Sequence, residues 1–180
     1  MNRQQDYEMD ALYRTHVQAL FSYALRLCPD REVAKDAVHD VFCRICEDER
    51  LRRGIINIRV YLLQAVRNRL IDMQKGRDVR VLPVDDAIAD ELPFGVHVSV
   101  EEAMIEHEER ENLRRRVEQL MTALTDRQRE IIYLRYEQEL DYDEIARTMH
   151  ITASSCRKLV HKAMSKLRKS KSGDSKESDV

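Results

Sequence analysis

The sequence predicts an all-α protein made of two small helical domains joined by a flexible acidic linker, and three observations carry that expectation. Charged residues make up 36% of the chain while glycine and proline number only four and three, a composition that suits amphipathic helices better than turn-rich β structure. Apolar residues recur at three- and four-residue intervals over most of the length, the spacing that lays one stripe along a helix. The pattern fails over 78–100, where Pro83, Pro93 and Gly95 stand among scattered valines with an acidic bias, the composition of a linker. A length of 180 residues fits one ordinary domain or two very small ones, so the break and not the length divides the chain.

Each element follows in order. Residues 7–27 place Leu12, Val17, Leu20, Phe21, Ala24 and Leu27 on one stripe, and Pro29 ends the helix. Asp30 is a natural N-cap for a second helix that carries Val33, Ala37, Val38, Val41, Phe42 and Ile45 at helical period. Its other face presents Asp36, His39, Asp40 and Arg44. A charged connection containing Gly54 leads to a third helix over 57–75, with Ile58, Leu62, Ala65, Val66, Leu70 and Met73 inward. Arg59, Arg67, Arg69 and Lys75 are expected on or near its exposed side. Three such helices can bury one modest core, which places the first domain at 5–77 and the linker at 78–100.

The helical signal returns at Glu101 and runs to Leu124. Thr125 with Gln128 fits a capping box, opening a helix at 126 that carries Ile131, Ile132 and Leu134. Asp141 with Glu144 repeats the arrangement before a short helix over 142–149, with Ile145, Ala146 and Met149 inward. Thr152 then caps a final helix from 153 to about 169, which puts the second domain at 101–170. The polar stretch 171–180 is expected to be a disordered tail.

Composition also limits function. No stretch approaches the ~18 uncharged apolar residues of a membrane span, and MNRQQDYEMD lacks the apolar core of a signal peptide. The expectation is a cytoplasmic protein without membrane insertion, its four cysteines reduced. The net charge of −2 conceals segregation. Residues 151–171 carry seven Lys and Arg and no acid, whereas 81–109 carry nine Asp and Glu and no Lys or Arg. A basic end suits phosphate-backbone binding, because neutralised phosphates release counterions. No Gly-rich phosphate loop, Ser-His-Asp set or paired carboxylates stand out, so no catalytic chemistry is expected. His39, Cys43 and Cys46 share one helix face at i, i+4 and i+7 and would offer three metal ligands. A fourth is not evident, so the cysteines read as packing residues and neither metal nor other cofactor is expected.

The run DYDEIARTMHITASSCRKLVHKAMSKLRK is the most specific signal. Two helices joined by a tight turn need apolar groups at set places, and Ile145, Ala146, Ile151, Cys156 and Leu159 or Val160 fill them. Ser154, Ser155, Arg157, Lys158, His161 and Lys162 remain on the opposite side, which reads as the DNA-reading face of a helix-turn-helix. Arg and Lys can donate to guanine edges, while Ser and His are short enough for phosphates or base edges. His150 falls where such turns usually carry a left-handed Gly.

On these residues the chain resembles the extracytoplasmic-function group of the σ70-family sigma factors. LYRTHVQALFSYALRLCPDREVAKDAVHDVFCRI with RVYLLQAVRNRLIDMQKGR looks like the family's domain 2, and ALTDRQREIIYLRYEQELDYDEIARTMHIT with SSCRKLVHKAMSKLRK looks like domain 4. The resemblance implies that Asp36, His39 and Asp40 beside Phe42 dock on core RNA polymerase, with His39 standing where the family usually has Gln. It implies that Tyr61, Gln64, Arg67 and Asn68 capture the −10 promoter strand, Tyr61 standing where Trp is common. The final helix would read the −35 element of promoter DNA as duplex, and an anti-sigma factor is the implied inhibitory partner. Two promoter elements about two turns apart are separated by roughly 70 Å, and 23 extended residues reach roughly 75 Å. The alternative is a stand-alone helix-turn-helix regulator, which would bind duplex DNA without polymerase.

Overall fold

The computed structural model describes residues 3–77, 92–95 and 107–174. Among them every regular element is helical. The chain divides into two compact units, 1–93 with 147–149 and 94–146 with 150–180, and each unit is described by itself.

The first unit contains α1 (Arg3–Leu27), α2 (Arg31–Glu47), α3 (Glu49–Gly54) and α4 (Ile58–Arg77). α1, α2 and α4 each pack on the other two. Their meeting faces bury Leu20, Tyr23, Ala24 and Leu27, then Val38, Val41 and Ile45, then Leu62, Leu63, Val66 and Leu70. Asp30 is the N-cap of α2, its Oδ1 accepting the N–H groups of Glu32 at 3.0 Å and Val33 at 3.2 Å. The charged connection contains a helix that periodicity did not reveal. Asp48 starts α3 by accepting the Leu51 N–H at 2.9 Å, and because α3 buries no residue it has no apolar stripe to betray it.

Two expectations are corrected by the core. Leu63, Val66, Arg67 and Leu70 stand at i, i+3, i+4 and i+7, the geometry of one helix face. Arg67 therefore lies on the core stripe of α4 and is only 3% exposed, not on the outer side. Phe42 shares the corresponding stripe of α2 with Val38, Val41 and Ile45. It is 4% exposed and sets its ring edge-on to Tyr13, centroids 4.9 Å apart, so it is a packing residue.

The second unit contains α5 (His107–Thr122), α6 (Asp126–Ile132) continuing into a π turn at Tyr133–Glu137, most of α7 (Tyr142–Met149) and α8 (Ala153–Asp174). α8 packs on α5 and α6, and Leu124, Ile131, Leu134, Leu140, Ile145, Cys156, Val160 and Ala163 are buried. Both expected capping boxes form. The Thr125 Oγ1 accepts the Gln128 N–H at 3.3 Å while Gln128 Oε1 accepts the Thr125 N–H at 3.2 Å. Asp141 Oδ1 accepts the Glu144 N–H at 2.7 Å while Glu144 Oε2 accepts the Asp141 N–H at 2.9 Å. The π turn closes with the Gln138 N–H on Tyr133 O at 3.0 Å, and the Gln138 side-chain amide donates to the Tyr133 hydroxyl at 2.9 Å.

α8 runs to Asp174, past its expected end and into the stretch expected to be a disordered tail. The added turn runs through Ser170, Lys171, Ser172, Gly173 and Asp174, weak helix formers apart from the lysine, and it forms because propagating a helix already nucleated upstream needs no new nucleus and meets no proline. Residues 175–180 lie outside the described residues. So does most of the expected linker, together with the expected helical start at 101–106. The exception is 92–95, where the linker expectation is corrected because Leu92 and Phe94 are buried. Phe94 belongs to the second unit: its N–H donates to Asp126 Oδ1 at 2.9 Å, and its ring lies 5.6 Å from that of Tyr133. One aromatic between Pro93 and Gly95 carries no periodicity, so the sequence pattern hid the attachment. No helix among the described residues is long and apolar enough to cross a membrane.

Candidate nucleic-acid interface and partner face

The turn between α7 and α8 is built around a left-handed residue. His150 has φ 53° and ψ 43°, the conformation flagged from the sequence, and the Ile151 N–H donates to Ala146 O at 3.0 Å. Thr152 then starts α8, its Oγ1 accepting the Ser155 N–H at 3.1 Å. With that start fixed, Cys156, Val160 and Ala163 turn inward at no more than 5% exposure. Burial pushes the Cys156 thiol pKa up, which suits packing over reactivity.

The outward side of α8 collects the predicted readers. Ser154, Arg157, Lys158 and His161 are all exposed and stand at i, i+3, i+4 and i+7, one continuous stripe. Lys162 is exposed beside Lys158. Ser155 is exposed too, but its hydroxyl lies 2.9 Å from Thr152 Oγ1 and so takes part in the cap. The Arg157 guanidinium sits 5.3 Å from the centre of the Tyr142 ring, a contact that helical spacing does not predict. Lys166, Arg168 and Lys169 continue the exposed positive charge along the helix. This surface can donate hydrogen bonds and screen phosphates over several turns.

In the first unit an open cleft of about 770 Å³ runs between α2, α3 and α4. Tyr61, Gln64 and Asn68 stand at i, i+3 and i+7 on α4 and all line it. Arg67, the fourth residue of that expected set, does not, because it faces the core. Arg69 takes its place on the cleft, and the sequence reading had only put it near the exposed side. Its Nε and Nη2 grip Asp40 Oδ2 at 2.8 and 2.7 Å.

The face of α2 assigned to a protein partner is divided. Asp36 and His39 are exposed, Asp40 is half-buried and held by Arg69, and Phe42 is excluded by burial. The Cys43 thiol lies 3.4 Å from His39 Nε2. Among the described residues no group of three or more His, Cys, Asp or Glu is arranged to hold a metal ion.

The fold and these faces define a two-unit helical protein whose C-terminal unit is a helix-turn-helix with a basic final helix. The chain belongs to the σ70 family of RNA polymerase sigma factors. Residues 12–79 match Sigma-70 region 2 and residues 120–169 match Sigma-70, region 4. The chain is 27% identical over 161 residues to the RNA polymerase sigma factor YlaC of Bacillus subtilis (strain 168), covering 89% of this chain and 90% of that one. It is 23% identical over 168 residues to the ECF RNA polymerase sigma factor SigM of the same organism, covering 89% and 93%. The sigma factor RpoE of Bartonella quintana, solved in complex with the anti-sigma factor NepR, shares the fold, with a TM-score of 0.62 at 16% identity over 90% of this chain and 95% of that one.

Proposed function

We propose that this sigma factor directs core RNA polymerase to promoters by dividing the work among three helix faces. Asp36, His39 and Asp40 on α2 dock on core polymerase. Tyr61, Gln64 and Asn68 on α4 hold the unwound −10 strand, the tyrosine by stacking on a base and the two amides by hydrogen bonds to base edges. Ser154, Arg157, Lys158, His161 and Lys162 on α8 read the −35 duplex in the major groove. The protein works in the cytoplasm without a cofactor and without catalysing a reaction, and an anti-sigma factor restrains it by occupying these faces.

The observation that carries the reading is the single exposed stripe of Ser154, Arg157, Lys158 and His161 on a helix whose opposite side is buried in its own domain. The test is run-off transcription with purified core polymerase, the full chain and genomic fragments. Initiation from discrete sites is expected, with Asp36→Asn/Asp40→Asn lowering the affinity for core polymerase and Arg157→Ala weakening promoter selection by roughly 5- to 150-fold, the cost of one lost base contact of about 1–3 kcal/mol. Duplex binding by the chain alone, with no association with core polymerase, would establish the stand-alone regulator instead.

A further inference from the structure

Arg135, Tyr142 and Arg157 bring three separate elements to one point. Arg135 belongs to the π turn, Tyr142 opens α7 directly after its Asp141 cap, and Arg157 lies on the second turn of α8. The Tyr142 ring centre is 5.2 Å from the Arg135 guanidinium and 5.3 Å from that of Arg157. Both distances fall within the ~6 Å at which a ring's electron-rich face attracts a cation. The two arginines differ in freedom. Arg135 is half-buried and donates from Nη1 to Leu140 O at 2.8 Å, so it is fixed to the scaffold. Arg157 is exposed on the stripe that faces DNA in the reading above.

We propose that Tyr142 is a positioning residue for promoter recognition: its ring, steadied by Arg135, holds the Arg157 guanidinium ready to meet a base edge in the −35 duplex. The inference rests on α8 being the duplex-reading helix. An exposed arginine is among the side chains that lose most rotamer freedom on binding. A guanidinium already held against a ring has surrendered part of that freedom before DNA arrives, so less is lost in the complex. The stack also limits the directions in which the planar donor fork points, and direction is what discriminates guanine O6 and N7 from other edges. Tyr142 thus sharpens selectivity through Arg157 and needs no DNA contact of its own.

The test is a double-mutant cycle on the full chain bound to core polymerase, with a labelled duplex fragment from which the unmodified pair starts transcripts. Tyr142→Leu should weaken promoter binding by about 3- to 10-fold, the size of a cation–π contact and one immobilised side chain. It should relax preference at the same base pair as Arg157→Ala. Tyr142→Phe, which keeps the ring, should restore near-normal binding. In the Arg157→Ala background Tyr142→Leu should cost less than about 2-fold, because the tyrosine then has nothing to position. Tyr142→Met keeps the bulk and helix propensity of the site and is measured in parallel, so that loss of folding in the leucine variant leaves the cycle intact. Equal costs in both backgrounds would overturn the proposal by showing a purely structural role, and so would an Arg157→Ala variant that binds normally. Failure of the unmodified chain to direct any initiation would instead remove the sigma-factor reading beneath it.

Discussion

Phe94 is the residue whose replacement should connect local packing most directly to promoter choice. Its ring is 4% exposed and lies against Tyr133, while its N–H is held by Asp126. Phe94→Ala removes a buried aromatic worth about 2–3 kcal/mol, enough to shift the docked segment toward release by roughly 30- to 150-fold. The consequence for reach is geometric. With Phe94 docked, the chain between the end of α4 at Arg77 and the second unit comprises residues 78–93, with a covalent limit of about 53 Å at ~3.3 Å per residue. With Phe94 released, the limit grows by about 3.3 Å for each residue freed beyond it. A longer tether lowers the effective concentration of the second unit at its optimum and penalises displaced positions less.

Run-off transcription from templates whose −10 to −35 spacing is changed by two base pairs either way, roughly 7 Å of duplex, reads this directly. Phe94→Ala should lower initiation at the best spacing and flatten the dependence on spacing. Phe94→Leu, which keeps an apolar side chain in the slot, should fall between. Thermal unfolding of the full chain should show the alanine variant destabilised. An unchanged melting temperature together with an unchanged spacing profile would refute the idea that this contact sets the reach.

Two further outcomes follow from the second unit. His150→Gly should raise the melting temperature by about 2–4 °C and His150→Val lower it by about 4–8 °C, because φ 53° strains a side-chain-bearing residue by about 1–2 kcal/mol and glycine returns only part of that gain as unfolded-state entropy; calorimetry in which glycine matched valine would contradict the account. At Asp126, burial opposes the charged form, but the Phe94 N–H and the Arg129 guanidinium outweigh it and hold the carboxyl below its ordinary value of 3.8. A depressed folded-state pKa contributes stability that is complete above the unfolded value and lost as pH falls through the lower folded one. The stability difference between the unmodified chain and Asp126→Asn in urea should therefore be constant between pH 7 and 5 and shrink below about pH 4. Asp126→Asn should lose stability at neutral pH and show a shallower acid limb, whereas identical acid limbs would remove Asp126 as the source.

Much of this was legible in the sequence wherever a local rule had a local cause. Asp30, Thr125 with Gln128, Asp141 with Glu144 and Thr152 each cap the helix they were expected to cap, because capping is decided within four residues. His150 takes the left-handed conformation for the same reason: the turn is too short for another solution. The outward stripe of α8 was readable because its inward partners, Cys156, Val160 and Ala163, are small or apolar. What escaped the sequence depends on contacts between distant residues. Asp40 meets Arg69 29 positions away, Phe94 meets Asp126 32 positions away, and Tyr142 reaches both Arg135 and Arg157. α3 escaped because an element that buries nothing leaves no hydrophobic period.

The two misplaced site residues come from one error, and its remedy is instructive. The family resemblance places Arg67 on the −10 face and Phe42 on the docking face, and in both cases helical spacing disagrees. Helical spacing alone assigns both inward: Leu63, Val66, Arg67 and Leu70 form one stripe, as do Val38, Val41, Phe42 and Ile45. The same rule applied to the remaining positions leaves Asp36, His39 and Asp40 on one face of α2, Tyr61, Gln64 and Asn68 on one face of α4, and Ser154, Arg157, Lys158 and His161 on one face of α8. Each proposed set is thus the complement of a core stripe on the same helix. Since exposed substitutions away from caps usually cost within about 0.5 kcal/mol, residues such as Asp36, Lys158 and His161 are free to change binding without changing the fold. Arg67 and Phe42 can alter binding only by disturbing the helices that carry those faces.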